Sequence, residues 1–142
     1  MTEKELVNLF VKQSENFSIK VLHIETSPHS KHMDCEFIYE GQYVRAEAKV
    51  FNDIRNSSQN FIKIFGGILK GRSLPIYDTT NKLPVVYAVL IDDKQYKMFK
   101  NRASTSITPK DWLDFGNTYD AKYIFTVNEK TGDIQYATWD EL

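Results

Sequence analysis

Cysteine occurs once in this chain, at Cys35, which excludes an internal disulfide and a cysteine-built zinc site. No segment approaches the ~20 consecutive apolar residues of a membrane-spanning helix; the longest apolar run, Leu83 to Ile91, has the length of a strand. No repeat, low-complexity tract, zinc finger, helix-turn-helix or RNA-recognition motif is visible, so little sequence specificity toward a nucleic acid is expected. The start, Met1-Thr2-Glu3-Lys4-Glu5, has neither the basic beginning nor the apolar stretch of a signal peptide, and the expected location is cytoplasmic. Excess charge of one sign is missing too: the net charge of -1 argues against a protein that coats nucleic acid.

What charge there is lies unevenly. Between Gln59 and Lys110 nine basic residues face three acidic ones; from Asp111 onward seven acids face two bases. Such asymmetry permits a basic face for phosphates beside an acidic flank. The 142 residues fit one domain, long enough to bury roughly two-thirds of the unfolded surface and so to hold a rigid site without staples.

Thr2 with Glu5 forms a capping box, and Leu6, Val7, Leu9, Phe10 and Val11 supply the stripe of a first helix to about Gln13. Strands are predicted from Ser18 to Thr26, Met33 to Glu40 and Tyr43 to Phe51, the last two joined by a Gly41-Gln42 turn. A helix follows through Phe61 to Leu69, where Gly66-Gly67 marks close packing on a sheet or a kink. Val85 to Ile91 reads as a strand covered on both faces, Lys94 to Lys100 as an edge strand with alternating lysines, and Thr108-Pro109 as the start of a short helix. Tyr123 to Asn128 and Ile134 to Trp139 form a terminal hairpin, whose aromatics Tyr123, Phe125, Tyr136 and Trp139 belong to core and sheet surface. The predicted class is α/β with a mixed sheet: an αβββαβ core over residues 1–100 and a β-α-β-β extension over 101–142.

The segment from Tyr43 to Phe51 alternates strictly, so Arg45, Glu47 and Lys49 share one face and Val44, Ala46, Ala48 and Val50 the other. With a two-residue turn at Gly41-Gln42, Glu36 pairs with Glu47 and Asp34 with Lys49. Packed carboxylates destabilise a sheet and raise one another's pKa unless a cation is present. Mg²⁺ or Mn²⁺ would resolve that conflict, held by Asp34, Glu47 and the Ala48 carbonyl, with Lys49 holding the attacking water or neutralising charge on phosphorus. The same residues also fit a solvated cross-strand charge ladder, and a turn one residue longer would reverse the faces.

In its order of helix, three-strand meander, helix and strand, the first hundred residues resemble the PD-(D/E)XK nuclease superfamily, the restriction-endonuclease-like fold. Asp34 matches the motif aspartate and Glu47-Ala48-Lys49 the (D/E)-x-K element, while Met33 stands where the name-giving proline would be. The length and acid-to-E-x-K spacing are similar to those of small archaeal-type Holliday junction resolvases. Gln59 stands where many RecB-like members carry a glutamine, though Lys63 replaces the tyrosine that usually follows. The resemblance implies a Mg²⁺-dependent endo- or exodeoxyribonuclease in which Asp34 and Glu47 bind metal, Lys49 activates water and Gln59 and Arg45 orient the site or substrate. Lys63, Lys70 and Arg72 are the bases expected to hold phosphate on the second helix.

Glu5 is the first-helix candidate for an additional acid, although its capping box already explains it, and Glu25 and Glu36 are further candidates. His23 reads as half-buried structure; His29 and His32 fall in a loop leading to Asp34. DNA is the expected partner, with RNA an open alternative, and a homodimer is compatible because paired cuts need two active sites. The rival reading is a non-catalytic nucleic-acid- or protein-binding module on the same fold; an immunity or inhibitor protein is a third, resting on size and the acidic tail alone.

Overall fold

The first helix, α1 (Glu3–Gln13), starts where the capping box predicts: Glu5 N donates to Thr2 Oγ1 at 3.1 Å and Thr2 N to Glu5 Oε2 at 3.3 Å. These and the following features come from a computed structural model, which describes residues 1–26, 31–51 and 54–142. Strands β1 (Lys20–Ile24), β2 (Cys35–Tyr39) and β3 (Gln42–Ala48) follow, then α2 (Ile54–Ser73) and β4 (Val85–Asp92). Helices α3 (Tyr96–Ser106) and α4 (Pro109–Tyr119) precede the terminal hairpin of β5 (Ala121–Val127) and β6 (Ile134–Thr138).

All six strands form one sheet in sequence order, antiparallel from β1 to β3, parallel from β3 through β4 to β5, and antiparallel again at β6. Parallel neighbours need crossovers, and right-handed crossovers stepping in one direction put their helices on a single face. Accordingly Phe61, Ile64 and Ile68 of α2, Phe99 and Ala103 of α3 and Trp112 of α4 pack with Tyr87, Val89, Ile91 and Ile124. The opposite face belongs to α1, whose Leu6, Val7 and Phe10 meet Phe37, Val44, Ala46, Ala48, Ala88 and Leu90. The predicted alternation of β3 is present: Val44, Ala46 and Ala48 go to the α1 face, which turns Arg45 and Glu47 toward α2. Among the described residues no helix is long and apolar enough to cross a membrane.

Two expectations are corrected. The strand predicted from Lys94 to Lys100 is instead a single 3₁₀ turn and α3. Lys94, Lys97 and Lys100 recur every third residue, and Phe99 and Ala103, four apart, are the positions α3 buries, so the period is helical. Asp92 ends β4 by accepting the Lys94 amide at 3.1 Å. The extension is therefore two helices and a hairpin rather than β-α-β-β.

The second correction is the register of the β2–β3 hairpin. Tyr39 pairs with Gln42, so Glu40 and Gly41 are the central turn residues, with φ of 50° and 70°. Positive φ at both positions is what a type I′ turn requires. Against the expected pairing, Glu36 stands opposite Arg45 rather than Glu47. The displacement is one residue on each strand, so the faces are preserved and only the partners change.

Candidate functional site

β3 is the strand at which the sheet changes from antiparallel to parallel, and the candidate residues gather at its C-terminal end. Three elements converge there: the entry to β2 with Asp34, the end of β3 with Glu47 and Lys49, and the first turn of α1 with Glu3. Asp34 Oδ2 accepts the Ala48 amide at 2.9 Å, which fixes the aspartate against the end of β3. Lys49 Nζ lies 3.3 Å from Glu47 Oε1 and 3.5 Å from Glu3 Oε1. A cleft of about 320 Å³ opens beside Asp34, walled by α1 through Glu3, Val7 and Asn8 and by the end of β1 through Ile24 and Glu25.

Glu47 is held from above by α2. A Cβ built on Gly67 would fall 2.5 Å from Glu47 Cδ and 2.6 Å from Oε1, so only glycine lets the helix backbone close over the carboxylate. This is the close packing expected of the Gly66-Gly67 pair.

Burial is the first cause of the site's electrostatics. It pushes the Glu47 carboxyl up to about 7, helped by the charge of Asp34 and opposed by Lys49. Burial also raises Asp34 above the usual carboxylate range, against the lowering effect of the Ala48 N–H. Burial alone would lower Lys49, but the Glu47 and Glu3 carboxylates outweigh it and hold the ammonium above its ordinary value. Two carboxylates that resist ionisation thus face a lysine that keeps its proton at neutral pH.

The structure brings Asp34, Glu47, Ala48 and Lys49 together and separates other expected site residues from them. Arg45, predicted to orient substrate, is 1% exposed. It is committed to Glu36 at 3.4 Å and to the carbonyls of Gly71, Leu74 and Pro75. Glu36 is fully buried with it and holds Tyr43 Oη at 2.6 Å, so neither reaches the cleft. Gln59 is exposed on α2, eight residues before Gly67, about 12 Å along the helix axis from the contact with Glu47. Its neighbour Asn60 is the residue that turns back, donating to Val50 O at 2.8 Å just beyond Lys49. Lys63 and Lys70 are exposed, one turn before and one turn after Gly67. Arg72 is engaged elsewhere: it bonds Tyr119 O at 3.0 Å and pairs with Asp120 at 3.5 Å, pinning the end of α2 to α4.

Glu5 is consumed by its capping box, and the acid that α1 sends to the site is Glu3. The signal for it was present: Glu3 precedes Leu6, Val7 and Phe10 by three, four and seven residues, so it continues the buried stripe over the end of the sheet. Glu25 flanks Asp34, its amide donating to Asp34 O at 3.0 Å and its carboxylate accepting the amides of Lys31 and His32. His29 lies outside the described residues. A larger cavity of about 500 Å³, walled by Leu113, Asn117, Asp120 and Trp139 among others, includes none of the residues of this site.

No protein-family model matches the chain, and no curated protein sequence matches it. Solved structures do. An XisH family protein from Nostoc punctiforme superposes with a TM-score of 0.59 at 13% identity, over 92% of this chain and 98% of that one. An fdxN element excision controlling factor protein from Anabaena variabilis superposes with a TM-score of 0.57 at 12% identity, over 91% and 98%. At these identities the likeness is one of fold, and it runs through the α3–α4 extension as well as the αβββαβ core.

Proposed function

We propose that the chain is a metal-dependent nuclease that hydrolyses phosphodiester bonds in DNA at the Asp34–Glu47–Lys49 cluster. The observation that carries this reading is the pair of desolvated carboxylates beside a protonated lysine, at the end of β3 in an αβββαβ frame. The donor set suits a hard divalent cation such as Mg²⁺ or Mn²⁺, which takes carboxylates together with backbone oxygen and phosphate oxygens. Among the described residues no three His, Cys, Asp or Glu side chains gather into a metal cage, so Asp34, Glu47 and the Ala48 carbonyl would hold the ion with substrate and solvent completing its shell. When bound, the ion supplies Lewis acidity toward the phosphate.

The chain's own groups divide the rest of the work. The Lys49 ammonium, held protonated by Glu47 and Glu3, acts as positive charge for the phosphorane oxygens rather than as the base that takes water's proton. Exposed Lys63 and Lys70 flank Glu47's position under α2 and would track the strand's phosphates without reading its sequence. The product pair is a phosphomonoester and a hydroxyl, water having added across one P–O ester bond. That one fold neighbour is named an fdxN element excision controlling factor is consistent with DNA as the partner.

Incubating the protein with labelled single-stranded, duplex and branched DNA in Mg²⁺ or Mn²⁺ tests the reading. Cleavage of at least one substrate, abolished by chelation, is expected; intact substrates throughout would refute it. A non-catalytic binding module is the second reading, favoured by the Glu3–Lys49 ion pair, which occupies the lysine with an internal acid. Glu3→Gln separates the two, because freeing Lys49 should leave or raise a catalytic rate.

Gly67→Ala gives a sharper expectation. Alanine favours the helix by about 0.8–1 kcal/mol, while its methyl group evicts only the flexible end of Glu47. The variant should melt within a few degrees of wild type, yet a displacement of about 1 Å in a reacting group can cost on the order of 10²-fold in rate. Thermal melts and cleavage rates measured side by side check both halves.

A further inference from the structure

The buried Glu36–Arg45 pair does something specific with its hydrogen bonds. Arg45 holds Leu74 O at 3.1 Å and Pro75 O at 3.2 Å, Glu36 Oε1 accepts the Tyr77 amide at 3.0 Å, and Tyr43 Oη accepts the Asp78 amide at 3.1 Å. A desolvated ion pair is thus spent on fixing the first half of the surface loop between α2 and β4, from Leu74 to Asp78, and removing two charges from water is costly unless the result is used. At the tip of that loop the Tyr77 ring is stacked on His23, with centroids 4.4 Å apart and planes at 14°. His32 stands edge-on to both rings and is itself tied to Pro75 O at 2.8 Å. With His23 stacked on it, Tyr77 is still 51% exposed, which leaves ring surface accessible to another partner.

The platform adjoins the candidate site. His23 and Glu25 lie on the same face of the β1 edge, about 7 Å apart along the chain, and Glu25 connects the two regions through bonds to the His32 amide and to Asp34 O. Exposed Lys31 stands next to His32. A solvent-facing aromatic stack beside the proposed phosphodiester site is what proteins use to hold unpaired bases, because every base has a π-face whereas a paired base in a duplex has none free.

We propose that the Tyr77–His23 stack is a docking platform for an unpaired base of a DNA strand, so that the site acts on single-stranded or locally unpaired DNA rather than on continuous duplex. This deepens the nuclease reading and rests on it for the meaning of the cleft, but its test does not require cleavage.

Anisotropy of fluorescently labelled oligothymidylate, the matching oligouridylate and a blunt duplex, titrated with wild type, Tyr77→Ala and Tyr77→Trp without added metal, provides that test. The loop's tether is the Tyr77 amide, so the side-chain change leaves it in place. Tyr77→Ala should weaken oligothymidylate binding roughly tenfold or more and change duplex binding less than about twofold. Tyr77→Trp should retain affinity, with its indole fluorescence quenched on binding, which separates lost stacking from lost folding. Unchanged oligothymidylate binding by Tyr77→Ala, equal losses on single strand and duplex, or a preference for oligouridylate would overturn the proposal. A wild type that binds single strands through Tyr77 yet cuts nothing would sink the nuclease reading and leave the platform standing. A protein that cuts DNA while Tyr77→Ala binds normally would do the reverse.

Discussion

Arg45→Met is expected to destabilise the protein by about 3–5 kcal/mol, since removing one partner of a buried ion pair leaves the other uncompensated. Glu36 would keep its bonds from Tyr43 Oη, Tyr77 N and Met33 N, but no cation would remain near a carboxylate that is 0% exposed. The loop would lose the Arg45 bonds to Leu74 O and Pro75 O at the same time. Glu36→Gln paired with Arg45→Met should recover a large part of the loss, because the double variant buries no net charge. Urea denaturation of the two single variants and the double variant measures this coupling. A loss under about 1 kcal/mol for Arg45→Met would mean that the pair is solvated in solution and that the loop is not fixed by it.

Glu47 carries the opposite expectation, a residue whose removal stabilises the fold and abolishes the chemistry. The folded-state carboxyl titrates near 7 against 4.5 for the free group. Between those values the folded state holds a proton that the unfolded state has released, so stability is greatest at the acid end and falls as pH rises through 7. Above that window the buried charge costs on the order of 3 kcal/mol. Glu47→Gln should therefore melt higher than wild type at pH 8 and match it more closely near pH 5, with the pH dependence of the melting temperature flattened. Cleavage should be lost with it. Lys49→Ala should lower the rate on the order of 10²–10³-fold, as removal of one group that stabilises transition-state charge does, while leaving metal binding in place. Loss of both functions in Glu47→Gln, but of one in Lys49→Ala, distinguishes a ligand from a charge that meets the phosphate.

How far the sequence reaches can be read from individual residues. Signals written in adjacent residues hold: the Thr2–Glu5 box, the continuous apolar β4, the Thr108-Pro109 helix start, whose Thr108 Oγ1 accepts the Asp111 amide at 3.2 Å, and the terminal hairpin. The alternation of β3 correctly separates Arg45 and Glu47 from the apolar face, and the Gly67 packing is legible because a glycine pair in a helix demands a reason. What fails depends on long-range partners. Arg45 looks like a surface base until the end of α2 and the loop after it close over it and supply three carbonyls from 26 to 30 residues away. Arg72 looks like a phosphate ligand until α4 brings Tyr119 and Asp120 to it. The misread stretch at Lys94 to Lys100 is of another kind: its period of three was visible, and counting it against the helical template would have placed α3. The hairpin register was lost by one residue because Glu40, a non-glycine residue at φ 50°, takes the first turn position that Gly41 was expected to occupy.

The catalytic roles proposed for the cluster rest on its binding a divalent cation through Asp34 and Glu47. Mn²⁺ titration at pH 8, followed by the loss of the free-ion electron paramagnetic resonance signal, reports on it directly. Wild type and Lys49→Ala should each bind Mn²⁺, with binding lost or weakened at least tenfold in Asp34→Asn and Glu47→Gln, ligand losses at least as costly as the 10–100-fold seen for outer-shell partners. No Mn²⁺ uptake by wild type, or uptake that persists unchanged in both carboxylate variants, would contradict the assignment of this cluster as a metal centre.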